Sequence, residues 1–131
     1  MFKMKKILIV DDSKSYIHIF KSFLNLYFND NISIYVAYNG TEAIHQFKEN
    51  NPDLVLMDYH MPSMNGLEAL KKIIEIKCDS MVIILSSDDS IRNKALKHGA
   101  IAFVPKRKRF SMIMDLINDC FNKNLEEIII K

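Results

Sequence analysis

The chain has 131 residues, 49% of them hydrophobic and 26% charged, which is typical of one soluble globular domain with its own core. The formal net charge of +2 is too small to indicate binding to nucleic acid. The longest apolar runs hold about five residues, whereas a membrane-spanning helix needs roughly 20. The apolar run that follows the basic start meets two aspartates at once, which excludes a signal peptide.

Short apolar runs alternate five times with longer segments of helical character. The predicted strands cover residues 6–10, 32–37, 53–58, 81–86 and 100–105. The predicted helices cover residues 13–28, 41–50, 66–77, 90–98 and from 110 into the C-terminal tail, with Thr41 as the N-cap of the second helix. This order predicts an α/β fold, a (βα)5 arrangement with a doubly wound, five-stranded parallel sheet.

Proline fits one end of that sheet. Pro105 cannot donate a hydrogen bond to a neighbouring strand, so it belongs on an edge strand. The fifth strand is an edge in the strand order 2-1-3-4-5, which is one of the two common orders of doubly wound sheets. The proline is therefore consistent with that order.

Four of the predicted strands run directly into polar residues. The first strand leads into Asp11 and Asp12, the third ends at Asp58, the fourth at Ser86, and the fifth leads into Lys106. The carboxyl ends of parallel strands share one edge of the sheet, and ligands of open α/β sheets bind just outside that edge. The pattern therefore predicts one site that holds three carboxylates, a hydroxyl and an amine.

Three carboxylates at one point repel one another, and a hard divalent cation relieves the repulsion. Few protein oxygens and several waters are typical of Mg²⁺. A carboxylate beside such a cation can attack phosphorus and form an aspartyl phosphate, whose oxygens need the cation, an ammonium and a hydroxyl or N–H donor. The set indicates phosphoryl transfer, with the metal at Asp11 and Asp12, the nucleophile at Asp58, the hydroxyl at Ser86 and the ammonium at Lys106.

These residues, with the segments 51–58, Met61-Pro62 and Asn65-Gly66, resemble the receiver domain of two-component response regulators. The resemblance extends from residue 5 to about residue 121, with residues 122–131 as a helix extension or tail. It implies a flavodoxin-like receiver fold and one stand-alone domain over residues 1–131. No effector domain is expected to follow.

The resemblance also assigns roles. It implies that Asp58 accepts a phosphoryl group from a histidine kinase or a histidine phosphotransfer protein. Mg²⁺ would be held by Asp12, Asp58 and the backbone carbonyl of His60, and Asp11 would contact the metal through water. Ser86 and Lys106 would contact the phosphoryl group.

Further residues near the site have two interpretations. In the family, the residue at the place of Phe103 is an aromatic switch that turns inward when the hydroxyl of the Ser86 position moves; a plain core aromatic is the alternative. Tyr59, His60 and Asp88 are expected at the mouth of the site, where such side chains tune the lifetime of the phosphoryl group.

The first predicted helix is unusually apolar. Its central stripe predicts a core made of Tyr16, Phe20, Phe23 and Tyr27. Ile17 and Leu24 lie on one flank and are expected to be exposed. In the family this helix docks on the four-helix bundle of a kinase or phosphotransfer protein, and an apolar flank suits such docking. Burial under neighbouring helices is the alternative.

The densest charge run is Lys106-Arg107-Lys108-Arg109. Its last three residues are predicted to open the fifth helix, where positive charge is unfavourable against the helix dipole. The run either attracts an anionic phosphodonor or acidic partner, or is a solvated turn. Without a recognition motif, no direct DNA binding is expected.

Two features concern compartment and assembly. Cys78 and Cys120 lack metal-binding or redox spacing, so both are predicted to be reduced core thiols of a cytoplasmic protein. The tail over 125–131 carries three isoleucines and is either a helix extension, a homodimer contact, the start of a linker or frayed in solvent.

The sequence therefore predicts a signalling domain and not an enzyme in its own right. A phosphohydrolase would want a second aspartate two residues after the nucleophile, and the chain has His60 there. Output is expected through contact of helix four, strand five and helix five with a downstream protein. A phosphorylation-independent, receiver-like interaction module is the alternative, although the complete site argues against it.

Overall fold

The computed structural model describes residues 4–122. Its strands are β1 (Lys5–Val10), β2 (Ile32–Ala37), β3 (Leu54–Asp58), β4 (Val82–Ser86) and β5 (Ala102–Pro105). Its helices are α1 (Lys14–Tyr27), α2 (Gly40–Asn50), α3 (Gly66–Ile76), α4 (Arg92–Lys97) and α5 (Phe110–Phe121). All neighbouring strands are parallel, in the order β2-β1-β3-β4-β5, so the predicted fold and strand order are confirmed.

The sheet is buried on both faces because its strands are continuously apolar. Along β1, Ile7 and Ile9 pack with the helices α1 and α5, while Leu8 and Val10 pack with residues of α2 and α3. The same alternation continues through β3, β4 and β5. Two cores of about equal size therefore hold the sheet rigid, which fixes the positions of the residues at its carboxyl edge.

The edge position of Pro105 is confirmed. It is the last residue of β5 and lies opposite Ser86 of β4. The next residue, Lys106, continues the pairing, because its backbone N–H donates to the carbonyl of Ser86 at 2.9 Å. The fifth strand thus delivers the lysine next to the end of the fourth.

Thr41 does not cap α2, contrary to the sequence prediction. Asn39 is the N-cap, and its side-chain oxygen accepts from the N–H of Glu42 at 2.8 Å. The carboxylate of Glu42 in turn accepts from the N–H of Tyr38 at 2.8 Å. Asparagine followed three residues later by glutamate satisfies two helix-terminal donors, which Thr41 in the first turn cannot do.

The fourth helix is shorter than predicted. Residues Asp89–Ile91 form a 3-10 turn, and the α-helix begins only at Arg92. The carboxylate of Asp88 accepts from both the N–H and the hydroxyl of Ser90, at 3.0 and 2.6 Å. This local hydrogen bonding favours a tight turn over an ordinary first helical turn.

For the flank of the first helix through Ile17 and Leu24, the alternative of burial is confirmed, whereas the assignment of Phe23 and Tyr27 to the core is wrong. Ile17 and Leu24 are 3% and 0% exposed, whereas Phe23 and Tyr27 are 40% and 42% exposed. The buried stripe of α1 runs through Ile17, Phe20 and Leu24, at helical spacing. Because α1 is apolar over a wide arc, its periodicity does not decide which flank faces the sheet.

Two other local predictions change. Cys120 is buried in α5 as expected, but Cys78 is exposed in the connection between α3 and β4, so its assignment to the core is wrong. The basic residues after Lys106 do not open α5, which begins at Phe110 with Arg109 as its N-cap.

The described part of the chain, residues 4–122, contains no helix that is both long and apolar enough to cross a bilayer. The isoleucine-rich tail over 125–131 lies outside the described residues, so the alternatives considered for it stay predictions.

Candidate functional site

Asp11 is held in place from three sides. It directly follows β1, is 1% exposed, and donates its N–H to the carbonyl of Ala37 at 3.1 Å. One carboxylate oxygen accepts from the N–H of Ser13 at 2.9 Å, and the other accepts from the Lys106 ammonium at 2.7 Å. Both oxygens of this buried carboxylate are therefore already engaged.

Asp58 is the last residue of β3 and is 4% exposed. The Lys106 ammonium lies 3.5 Å from one of its carboxylate oxygens. The backbone just after Asp58 is fixed by Gly66, whose N–H donates to the carbonyl of Tyr59 at 2.8 Å. A Cβ on Gly66 would lie 2.5 Å from the backbone oxygen of Asp58, so only glycine permits this close approach.

The three carboxylates meet at one point. One oxygen from each of Asp11, Asp12 and Asp58 lies within 4.8 Å of the others. Asp12 is exposed, while Asp11 and Asp58 are buried. An all-oxygen set with one side open to water suits a hard cation that keeps several of its waters, as Mg²⁺ does. The residues present therefore fit the predicted metal.

Charge is unbalanced in this cluster. Burial and the charge of Asp11 raise the pKa of Asp58 from 3.8 to about 6, although Lys106 acts in the opposite direction. Burial disfavours the charged form of Lys106, but its hydrogen bond to Asp11 and the charges of Asp58 and Asp11 outweigh this and raise its pKa. The cluster thus holds one ammonium and three carboxylates, and the site favours a further positive charge.

Ser86 lies at the end of β4 and is fully buried. Its hydroxyl oxygen accepts from the N–H of Asp88 at 3.0 Å, and its carbonyl accepts from the N–H of Lys106 at 2.9 Å. Its neighbour Leu85 is paired with Asp58 across the sheet. The predicted hydroxyl, ammonium and nucleophile therefore stand at adjacent strand ends.

Three residues predicted for the mouth of the site directly follow Asp58 or lie two residues after Ser86 in the chain. Tyr59 is half-buried and His60 is exposed, with ring centroids 4.8 Å apart in an edge contact. Hydrogen bonds from the hydroxyl and N–H of Ser90 lower the pKa of Asp88, and the charge of His60 lowers it further. The charge of Asp88 is thus stabilised mainly by hydrogen bonds from a residue two positions along the chain.

Phe103 faces inward in this structure. It is 6% exposed and packs in the core beneath the helices α2, α3 and α4. The guanidinium of Arg92 covers its ring, with Cζ 4.7 Å from the ring centroid. Sequence analysis did not identify Arg92, because the two residues lie on different elements and no local motif links them.

An exposed salt bridge joins the segments that follow β5 and β4. Arg107 lies 3.1 Å from the carboxylate of Asp89, and both side chains are exposed. Arg107 follows Lys106, and Asp89 follows Asp88, so the bridge joins the loops after β5 and β4. The charge run was noted in the sequence, but its partner was not.

Tyr16 is the main site residue that sequence reasoning missed, since it was assigned to the core alone. The Lys106 ammonium lies 4.4 Å from the centre of its ring. Burial, followed by the charges of Asp11 and Asp58, raises the pKa of the Tyr16 hydroxyl to about 12. The available signal was its place in the first turn of α1, which begins just after the two aspartates.

A family model described as the response regulator receiver domain matches residues 7–118 of the chain. The chain is 33% identical over 122 residues to the chemotaxis protein CheY of Thermotoga maritima, covering 87% of this chain and 95% of that protein. It is 34% identical over 119 residues to the chemotaxis protein CheY of Bacillus subtilis, covering 89% and 98%.

Solved structures give the same result. A response regulator receiver domain protein from Clostridium thermocellum superposes with a TM-score of 0.84 at 28% identity, covering 92% of this chain and 97% of that one. A CheY-like receiver domain protein from Methanospirillum hungatei superposes with a TM-score of 0.82 at 24% identity, covering 96% and 97%, and supports the fold alone.

Proposed function

Since this chain belongs to the response regulator receiver domain family of two-component systems, we propose that it is a phosphoacceptor. Asp58 takes a phosphoryl group from a histidine kinase or a histidine phosphotransfer protein. The observation that carries the proposal is the meeting of three carboxylates with Lys106, which contacts Asp11 at 2.7 Å and Asp58 at 3.5 Å. The proposal includes a single receiver domain over residues 1–131 and the cytoplasmic location predicted from the sequence.

The transfer is a displacement at phosphorus. A carboxylate oxygen of Asp58 forms a bond to phosphorus as the bond from phosphorus to the donor histidine nitrogen breaks. The electron pair of the broken bond stays on that nitrogen, which takes up a proton from solvent. With a pKa of about 6, Asp58 is mostly ionised at neutral pH and can act as the nucleophile.

Two side chains of the site suit the transferred group. The Lys106 ammonium already faces Asp58 and can neutralise a phosphoryl oxygen. The Ser86 hydroxyl uses its oxygen as acceptor for the N–H of Asp88, so its own proton is available for a second phosphoryl oxygen. Both donors stand at the paired ends of β4 and β5.

The metal belongs to the same proposal. Asp12, Asp58 and the backbone carbonyl of His60 would hold Mg²⁺, which when bound supplies positive charge to the carboxylates and the phosphoryl oxygens. Asp11 fits the predicted water-mediated role, because both of its carboxylate oxygens already accept hydrogen bonds from Ser13 and Lys106.

Output is proposed to be contact with a downstream protein. A groove of about 250 Å³ lies between β5 and α5, and Phe103, Pro105, Ile113 and Leu116 are among its lining residues. The switch residue Phe103 therefore forms part of the face predicted to bind the target. Phosphorylation would act by shifting the population of conformations that present this face.

One observation supports the alternative of a phosphorylation-independent module. Phe103 points inward with Arg92 over its ring, and this contact does not involve Asp58. A receiver whose switch residue is inward at rest could bind its target without modification. Binding of the target to wild type and to Asp58→Asn with equal affinity, with and without a phosphodonor, would favour this alternative.

The proposal is tested by intact mass after incubation with acetyl phosphate and Mg²⁺. We expect one added phosphoryl group on wild type and none on Asp58→Asn. The matched control Asp79→Asn should also take one, because it removes an exposed carboxylate in the connection that leads into β4, and not one at the carboxyl end of a strand. Wild type that stays unmodified and also fails to bind beryllofluoride would contradict the proposal. An adduct that persists on Asp58→Asn would move the acceptor elsewhere.

A further inference from the structure

We infer that Tyr16 is a positioning residue for the phosphoryl transfer, because its ring holds the Lys106 ammonium where that group faces Asp58. The inference rests on the proposed function, in which Lys106 contacts the transferred phosphoryl group. Tyr16 acts through the lysine and needs no contact of its own with the phosphodonor.

The first support is the contact itself. The Lys106 ammonium lies 4.4 Å from the centre of the Tyr16 ring, within the range of a cation–π interaction. Lysine has four flexible methylene groups, and a carboxylate partner restricts only its end. The aromatic face restricts the ammonium from a second direction and leaves it 2.7 Å from Asp11 and 3.5 Å from Asp58.

The second support is a closed ring of contacts. The Ser13 N–H donates to one oxygen of Asp11 at 2.9 Å, and the Ser13 hydroxyl accepts from the backbone N–H of Tyr16 at 3.2 Å. The Tyr16 ring lies under Lys106, which donates to the other oxygen of Asp11. The N-cap of α1 therefore fixes the tyrosine backbone relative to the same carboxylate that binds the lysine.

The third support is the packing behind the ring. Tyr16 has its ring centroid 5.9 Å from that of Phe20 and 5.8 Å from that of Phe110. These two rings are themselves 5.5 Å apart in an edge contact. Phe110 begins α5, immediately after the loop that carries Lys106, so the aromatic cluster ties α1 to that loop.

The ring, and not the hydroxyl, is the part that acts. The Tyr16 hydroxyl is buried and has no hydrogen-bond partner within the described part of the chain. Phenylalanine at this position keeps the aromatic face and removes that hydroxyl, so Tyr16→Phe is the conservative variant that should preserve the function. Tyr16→Leu keeps apolar volume and removes the face.

The first measurement is the rate at which acetyl phosphate with Mg²⁺ modifies each variant, followed by intact mass over time. We expect Tyr16→Leu to be slower than wild type by about fivefold, which corresponds to about 1 kcal/mol. We expect Tyr16→Phe to react within about twofold of wild type. Phe20→Leu is the matched control, because it removes a buried ring of the same cluster, and within residues 4–122 the Lys106 ammonium makes its cation–π contact with Tyr16 and not with this ring.

Three outcomes would overturn the inference. They are a wild-type rate for Tyr16→Leu, an equal loss of rate in Tyr16→Phe, and an equal loss in Phe20→Leu. The last would mean that disturbing the core, and not releasing the lysine, slows the reaction. Thermal unfolding of each variant confirms that rates are compared between folded proteins.

The second measurement does not depend on phosphorylation. Protons beside the Lys106 ammonium should show an upfield NMR shift from the Tyr16 ring, with Lys106→Met used to assign the signal. We expect the shift in wild type and Tyr16→Phe and its loss in Tyr16→Leu. If wild type takes no phosphoryl group but its lysine signals still show the ring-dependent shift, the proposed function is wrong and the contact between Tyr16 and Lys106 stands. Lysine signals unchanged in Tyr16→Leu would sink the contact itself.

Discussion

The guanidinium of Arg92 covers the ring of Phe103, with 4.7 Å between Cζ and the ring centroid. The two residues come from α4 and β5, so the contact joins the helix and strand that form the predicted output face. A side-chain nitrogen of Arg92 also lies 3.5 Å from the Phe103 carbonyl. Phenylalanine has no hydroxyl to hold an outward state, and Arg92 supplies an attraction that favours the inward one.

Arg92→Ala should therefore release the ring. We expect its free energy of unfolding to fall by about 1 kcal/mol and the Phe103 ring to become partly solvent-exposed at rest. Addition of beryllofluoride should then return the ring inward, which ¹⁹F-phenylalanine NMR can follow. Arg107→Ala is the matched control, since it removes the arginine of the exposed salt bridge. An inward ring in unliganded Arg92→Ala would show that the core alone holds it.

Asp58 should make the protein less stable at neutral pH in the absence of metal. Its pKa is raised from 3.8 to about 6, so between these values the folded protein binds a proton that the unfolded chain does not. The contribution of Asp58 to the free energy of unfolding should therefore become less unfavourable as the pH falls from 7 to 4. From about pH 7 upward the penalty is fully present, and it amounts to up to about 3 kcal/mol.

Asp58→Asn removes this penalty while Asp11 still binds Lys106. With a metal chelator present, we expect the variant to be more stable than wild type at pH 7.5, by roughly 1–3 kcal/mol, and the difference to shrink toward pH 4. Urea unfolding at several pH values measures it. With saturating Mg²⁺ the difference in free energy of unfolding between the variant and wild type should become smaller or change sign, because only wild type keeps all three carboxylates that bind the metal. A pH-independent difference would contradict the raised pKa.

Gly66 should be intolerant of a methyl group for a reason tied to the site. In Gly66→Ala the new Cβ would approach the backbone oxygen of Asp58, and the backbone must move to relieve the clash. We expect a loss of about 1–3 kcal/mol in stability and slower modification of Asp58 by acetyl phosphate. In the control Gly40→Ala the new Cβ would lie 2.9 Å from the Cβ of Met64, so a comparable loss of stability is expected, but this clash does not involve the backbone of Asp58 and modification should stay near the wild-type rate. Equal rates for the two variants would contradict the prediction.

The sequence predicted the positions of the site residues better than their environment. Asp11, Asp58, Ser86 and Lys106 follow or end apolar strands, and parallel strands bring such ends to one edge whatever the details of packing. The parallel α/β fold could be predicted for the same reason, since continuous apolar strands that alternate with helices leave few topologies. The strand order 2-1-3-4-5 was taken from the common orders of doubly wound sheets, and Pro105 was only consistent with it.

Contacts between elements could not be predicted in this way. The pairs formed by Tyr16 with Lys106 and by Arg92 with Phe103 depend on how helices lie on the sheet, and no local spacing encodes them. The prediction of which side of α1 is buried was wrong for the same reason. Its apolar arc is wider than the buried stripe, so α5 and the sheet decide which side is covered.

The corrected rotation moves the expected docking surface. Ile19, Phe23 and Leu26 are 46%, 40% and 80% exposed and lie at helical spacing along the outer face of α1. An exposed apolar stripe of this kind suits a partner helix, such as those of the four-helix bundle expected in a histidine kinase. The flank through Ile17 is buried, so a charge there would test folding and not docking.

Ile19→Asp should slow phosphoryl transfer from a histidine kinase of the same organism by about tenfold or more, because a charge would have to be desolvated in the apolar contact. Modification by acetyl phosphate should stay at the wild-type rate, since Ile19 is not among the residues of the site. Leu96→Asp is the matched control, because it places the same charge on an exposed leucine of α4. Slowing in both variants would indicate general repulsion from the kinase. Equal kinase rates for Ile19→Asp and wild type would place docking on another surface.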